Sequence, residues 1–422
     1  MSRRKNDRRR TAAHLVGVAV FGLMLAACDS LLDVSLPGQT PADALAGPES
    51  AALLVTSTQG DFECAFSNYT LLTGIVAGEI MGAQSSLAMI PYQRRNVRPI
   101  DTSFGEGGCD GDSGLYTPLS TARFTADEAF NRISSFSDAD VSGRTRLLGR
   151  AALYAGFSYT VFAEGFCSAA FDSGPEVLPN GIFQLAKDRF TKAIDLAGQA
   201  GDSETRNAAY VGRARVELQL GETAPALADA KQVPAGFLKT VTRSSAATGR
   251  VNDVYAEVNR DRAQSIDTKF WNQTWMDVPD PRVSVTVTGQ KGIDGLTDLA
   301  IQHKYPGEGS AIRLASGVEA QLIIAELEGG QTAVGIINQL HAAAGIPGFT
   351  SSDPNAIRAQ VIEERRREFF LEGRRMGDLR HYGGFDEAAG GRHPYNGDQY
   401  GGTQCFPIPD IERNLNPNLS GG

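Results

Sequence analysis

The sequence predicts a mainly α fold, a tetratricopeptide-like helical scaffold with a loop-rich, irregular subdomain inserted in it. Residues 118–233 divide into consecutive helix-length segments separated by Gly, Pro or Ser/Asp caps. Ala214, Gly221 and Ala226 fall at the small-residue positions of a degenerate tetratricopeptide repeat, where paired helices must approach closely. Residues 84–117 and 241–314, by contrast, are rich in Gly, Pro and polar residues with isolated aromatics. Loops of that length inside a compact protein are usually functional or disordered.

The elements follow in order. Pro41 opens a first helix near 41–58 that carries Leu45, Leu53, Leu54 and Val55. Helices are expected at 118–136, 143–165, 181–199, 203–220 and 224–233, and a short β run at Val283–Thr288. A helical hairpin at 315–345 packs through Leu322, Ile323, Ala325, Ile336, Ile337 and Leu340. Asp353 then caps, and Pro354 opens, a helix whose apolar residues Ile357, Val361, Ile362, Phe369 and Phe370 recur at roughly helical spacing; the scaffold thus resumes over about 315–382. No Pro/Ser linker divides the chain beyond residue 28, so 28–422 reads as one large unit.

Residues 1–27 read as a signal peptide. Arg3, Arg4, Lys5, Arg8, Arg9 and Arg10 precede an apolar run of 13 residues, Leu15 to Ala27, and Leu25-Ala26-Ala27-Cys28 forms a lipobox. The run is shorter than the roughly 20 residues a bilayer span needs. Cleavage before Cys28, with diacylglycerol on its thiol and an acyl chain such as palmitate on its amine, gives a stable lipid anchor. Arg3-Arg4 lacks the context of a twin-arginine signal, and Asp29 sits where some bacteria read a sorting rule. Losing 1–27 removes six of 40 basic residues and one of 49 acidic ones, which leaves a net charge of −14 and argues against nucleic acid as a partner.

Four cysteines remain: Cys64, Cys109, Cys167 and Cys405. An even number in an oxidising compartment favours two disulfides, and three connectivities are open. Cys64–Cys109 with Cys167–Cys405 is preferred, because the first two share a loop-rich region and the others each end an ordered segment. The spacings match no zinc pattern, and no cofactor is implied. Asp110-Gly-Asp112-Ser-Gly114 offers alternating carboxylates but lacks the remaining ligands of a calcium loop, so a plain turn is the better reading. With Thr11-Ala-Ala-His14 it mimics protease boxes, yet His14 lies in the signal peptide and the intervening chain is helical. There is no H-E-x-x-H, G-x-S-x-G or phosphate loop, so the chain is not read as an enzyme.

The candidate ligand contacts are aromatic. Trp271 and Trp275, set in a helical turn at i and i+4, share one face on which the apolar C–H faces of a saccharide stack, core packing being the rival explanation. Tyr92 beside Gln93, Arg94 and Arg95 joins an aromatic surface to donors for hydroxyl or carboxylate groups, with a solvated turn as its rival.

The densest signal is Glu364–Gly383, ERRREFFLEGRRMGDLRHYG. One i, i+4 pair, Glu363–Arg367, is worth only about 0.2–0.5 kcal/mol on an exposed helix and does not explain so many arginines. The spacing of Glu364 to Glu368, Phe369, Glu372, Gly373, Arg375, Asp378, Leu379 and Arg380 resembles the C-terminal signature of SusD/RagB-like outer-membrane lipoproteins. Phe406-Pro-Ile-Pro-Asp-Ile-Glu412, followed by Asn414-Leu-Asn-Pro-Asn-Leu419, resembles the tail of the same family. Met376 and Gly377 depart from it, standing where an aromatic pair usually precedes the Asp-Leu.

The resemblance covers essentially the whole chain after residue 27. It implies a tetratricopeptide-like scaffold with ligand contacts on the loops, and a structural clamp in which Arg366, Glu372 and Asp378 fix the C-terminal helix. It also implies a lipoprotein at the cell exterior that captures oligosaccharide for a TonB-dependent (SusC-like) outer-membrane transporter. Peptide cargo, or an assembly scaffold at the periplasmic face, are the alternatives.

Overall fold

The structure, a computed structural model, describes residues 45–109, 114–384 and 390–419. Cys28 and the signal peptide, Pro41, and Asp110 to Ser113 lie outside them. Residues 45–50 form a turn of their own in which Ser50 Oγ donates to the carbonyls of Leu45 and Gly47. The helix expected at 41–58 begins later and runs further: α1 spans Ala51–Val76.

The scaffold follows as α2 (Tyr116–Ser135), α3 (Arg144–Gly165), α4 (Pro179–Ala200), α5 (Ser203–Gln219) and α6 (Thr223–Ala230), each packed on the next, with α1 against α2 and α3. In α4 the buried residues Ile182, Phe183, Ala186, Phe190, Ala193, Ile194 and Ala197 recur at helical spacing, which is why it folds as a helix with one face in the core. Pro179 opens it and Gly201, at φ +64°, ends it; Asp202 then caps α5 by accepting from the Thr205 N–H.

The close approach between these helices comes from two glycines. A Cβ added at Gly156 or Gly212 would lie 2.7 or 2.4 Å from the ring of Phe190, so the phenyl group occupies a hollow on both neighbours of α4. Ala214 and Ala226 are buried as the repeat requires. Gly221 is not: nothing stands near its absent Cβ, and its φ of +76° is what calls for glycine there.

Outside these helices, and above all beyond α6, the backbone changes character. The strands are β1 (Ile80–Gly82), β2 (Leu238–Val241), β3 (Gln264–Ile266), β4 (Thr274–Trp275), β5 (Val278–Pro279), β6 (Val285–Lys291), β7 (Asp298–Gln302) and β8 (Ile312–Ser316). They pair antiparallel in twos, β1 with β3, β2 with β8, β4 with β5 and β6 with β7. The β run expected at Val283–Thr288 is β6, begun two residues later. Pairing of β2 with β8 brings the two ends of this irregular insertion together, and the chain returns to helices: α7 (Gly317–Glu328), α8 (Gly330–Ala344), α9 (Pro354–Glu368), α10 (Arg375–Tyr382) and α11 (Asp410–Leu415).

Of the three possible connectivities, the structure holds Cys64–Cys109 and Cys167–Cys405, with Cα–Cα distances of 5.9 and 5.0 Å. The second ties the tail to the end of α3, beside a parallel bridge between Phe166 and Phe406. Among the described residues no helix is long and apolar enough to cross a membrane.

Candidate functional site

The three consecutive arginines of α9 reach three different elements, because successive helical residues point about 100° apart. Arg365 pairs with Asp378 of α10 at 2.6 Å. Arg366 pairs with Glu363 at 2.7 Å and donates to Gln273 Oε1 at 2.6 Å. Arg367 pairs with Glu363 and with Asp280, at 2.5 and 3.0 Å, and donates to the Thr274 carbonyl. Glu364, fully buried, accepts from Arg282, Gln360 and His341. The signature helix therefore grips the β4–β5 hairpin as well as α10. Burial alone would raise the Asp280 carboxyl, but the hydrogen bonds and charge of Arg282 and then Arg367 outweigh it and hold it down at about 2.

The turn after α9 is fixed in the same way. Glu372 receives Arg313 and Lys304 at 2.7 and 2.6 Å. Leu371, at φ +58°, donates its N–H to Glu79 and accepts from the Tyr305 hydroxyl. Gly373 sits at φ +71°, where a Cβ would press within 3.1 Å of Thr70 Oγ1. Arg380 Nη1 donates to the carbonyls of Ala163, Glu164 and Phe166 at the end of α3, each at 3.0 Å.

Between these elements lies a cleft of about 620 Å³, within the size range of small-ligand sites. Ile362, Glu363, Arg365 and Arg366 line it from α9 with Phe369 just after, Arg375, Asp378, Leu379 and Tyr382 from α10, and Lys269 and Gln273 from the turn before β4; Glu79, Gly383 and Gly384 also border it. Burial pushes the Glu79 carboxyl up to about 7, against the Leu371 N–H and the charge of Arg375, and its Oε2 has no hydrogen-bond partner. The cleft offers donors and acceptors of both signs around an apolar strip, an arrangement suited to binding a polar molecule. Among the described residues no cluster of metal-ligating side chains occurs.

Six of the signature residues thus line the cleft, Arg365, Arg366, Phe369, Arg375, Asp378 and Leu379, whereas the aromatics expected to meet ligand scatter. Trp271 and Trp275 share no helical face: Trp271 follows a 3-10 turn and Trp275 lies in β4, ahead of a two-residue turn in which Met276 and Asp277 both have positive φ. Trp271 is half-buried with its indole N–H on the Ile266 carbonyl, and Trp275 packs edge-on to His341 at 5.1 Å. Tyr92 is fully buried against Phe406 and offers no face to a ligand, because the short helical turn Ile90–Gln93 points it inward. Arg94 is on the surface, paired with Asp398 at 3.0 Å. Glu79, Lys269 and Gln273 were not singled out from the sequence; Glu79 alone left a signal, an acid inside the apolar run Ile75–Met81.

A sequence model of the SusD family matches residues 318–420. No curated protein matches the chain in sequence. Among solved structures, a SusD superfamily protein from Bacteroides vulgatus is 16% identical, with a TM-score of 0.66 over 88% of this chain and 97% of that one. A laminarin-binding SusD-like protein is 12% identical (TM-score 0.66, 88% and 98% covered), and surface glycan-binding protein A from Bacteroides uniformis is 15% identical (TM-score 0.66, 88% and 98% covered). At such identities the likeness speaks for the fold. The family match thus covers the signature and the tail, and the helical fold is similar over 88% of the chain to that of a SusD superfamily protein.

Proposed function

We propose that the chain is a nutrient-binding lipoprotein, anchored through Cys28 at the outer face of the outer membrane, that captures oligosaccharide and passes it to a TonB-dependent transporter. The observation that carries this reading is the fold, common over 88% of the chain to a laminarin-binding protein and a surface glycan-binding protein. The cleft beside the signature helix supports it, with hydrogen-bonding groups that suit hydroxylated cargo. The hairpin bearing Trp275 and exposed Met276 would serve as its lip, and binding without catalysis is the whole of the activity proposed.

Peptide is the second reading for the cargo, favoured by charged groups of both signs in the cleft: Lys269, Arg366, Glu363 and Asp378. Titration of the purified chain with laminarin and other glucan oligosaccharides, and separately with a mixed peptide digest, decides between them. Saturable glycan binding that weakens in Gln273→Ala is the expected result. Peptide binding alone supports the second reading. If neither binds, and no barrel co-purifies from gently solubilised membranes, the import role fails.

A further inference from the structure

A second pocket, of about 240 Å³, opens where α3 ends, between that helix, the first turn of α4, the last residue of α5 and α10. It lies across α10 from the cleft: Gly377 and Arg380 line the pocket, while Asp378 and Tyr382 line the cleft. Those two pairs fall on opposite faces of a helix.

Glu164 lines this pocket and is only 4% exposed. Its carboxyl makes no hydrogen bond among the described residues, and Oε2 is sealed from solvent. Buried carboxyl groups are almost always served by a donor, from protein, water or ligand. The side-chain amides of Asn180 and Gln219 also line the pocket and make no hydrogen bond within the described residues, and Phe183 supplies an apolar patch. α4 begins here with no side-chain cap, so its first N–H groups add donors. Gly377 keeps the space open: a Cβ there would lie 3.1–3.4 Å from the Glu164 side chain. It is also one of the two positions at which the chain departs from the aromatic pair of the signature.

Charge selects the kind of occupant. Arg215, Arg365 and Arg380 all act electrostatically with Glu164, so a free cation is repelled; Glu164 itself, with Glu319 and Asp378 behind it, repels a free anion. The volume is several times the roughly 30 Å³ share of one water, yet below the roughly 300 Å³ at which drug-sized sites begin. We propose that this pocket binds one small neutral polyol, with a hydroxyl donating to Glu164 Oε1, the carboxyl oxygen that is not sealed, and other hydroxyls accepting from the Asn180 and Gln219 amides. The assignment holds whatever the larger cleft takes as cargo.

D-Glucose, D-mannitol and L-alanine, each titrated into the intact chain and followed by ligand-observed NMR, test it. Glucose or mannitol should saturate with a millimolar dissociation constant. Glu164→Gln should weaken that binding by about tenfold, the loss of one charge-assisted hydrogen bond, and Gly377→Phe should block it. Asn180→Ala lies at the exposed rim, where the fold is not at stake, and should weaken binding about threefold. The proposal is overturned if neither polyol saturates, if L-alanine binds in their place, or if Asn180→Ala and Gly377→Phe both bind polyol as the parent does.

Discussion

Where α4 meets α3 and α5, the deciding contact is apolar: one phenyl ring seated against two glycines. Where α9 meets the β4–β5 hairpin, the deciding contacts are charged, with Arg282 and Arg367 both closed on Asp280 and Glu364 receiving Arg282 from the turn that follows the hairpin. The reason lies in the length of the elements. Helices of 17 to 22 residues bury enough surface to fix one another by shape. A hairpin with two-residue strands does not, since isolated hairpins are marginal even when longer, and directional ion pairs set its position instead. Shape-fixed packing is indifferent to salt and acid. The charged clamp is not.

Phe190→Ala should produce the largest effect, empties both hollows at once, and is expected to cost about 3–5 kcal/mol in denaturant unfolding. The loss should be equal at low and high salt. A loss under about 1 kcal/mol would mean that α3 and α5 close over the gap, and the contrast between the regions would break.

Asp280→Asn comes next and sharpens the contrast. The carboxyl titrates near 2 in the fold against 3.8 for an ordinary aspartate, so its contribution is full above the higher value and lost as pH falls toward the lower. The variant should be about 2–3 kcal/mol less stable at pH 7, from a shift of about two pH units. Its stability should converge on that of the parent chain as the pH approaches 2. Parallel stability curves down to pH 3 would show that shape, not charge, holds the hairpin.

The smallest effect belongs to Arg94→Ala. Its pair with Asp398 is 48% and 37% exposed, and surface ion pairs contribute about 0–1 kcal/mol. A change in melting temperature beyond scatter would reveal a second charged clamp, between the segment after β1 and the C-terminal tail.

The sequence was most legible where the physics is local. α4 shows its buried face at helical spacing, and Asp353 with Pro354 marks the start of α9 to the residue, Asp353 accepting from the Asn355 N–H. α1 was legible only in part, because its second half is buried on every side and carries Ser67, Asn68, Thr70 and Thr73 inside. These polar groups find partners, Thr70 on the Phe66 carbonyl and Asn68 on Gly114, that no periodicity announces. The tryptophan turn was misread because spacing of four is ambiguous between a helix and a hairpin whose turn is Met-Asp rather than Asn-Gly. The signature arginines were visible, but the cleft they line joins residues 79, 269 and 378, and only the tertiary fold brings those together.

The hold of Arg380 on α3 has a consequence for how the chain is made. The carbonyl of Ala163 precedes by 217 residues the guanidinium that serves it. Until α10 docks, the last turn of α3 lacks that donor, so the scaffold, which comes first in the chain, is among the last parts to be finished.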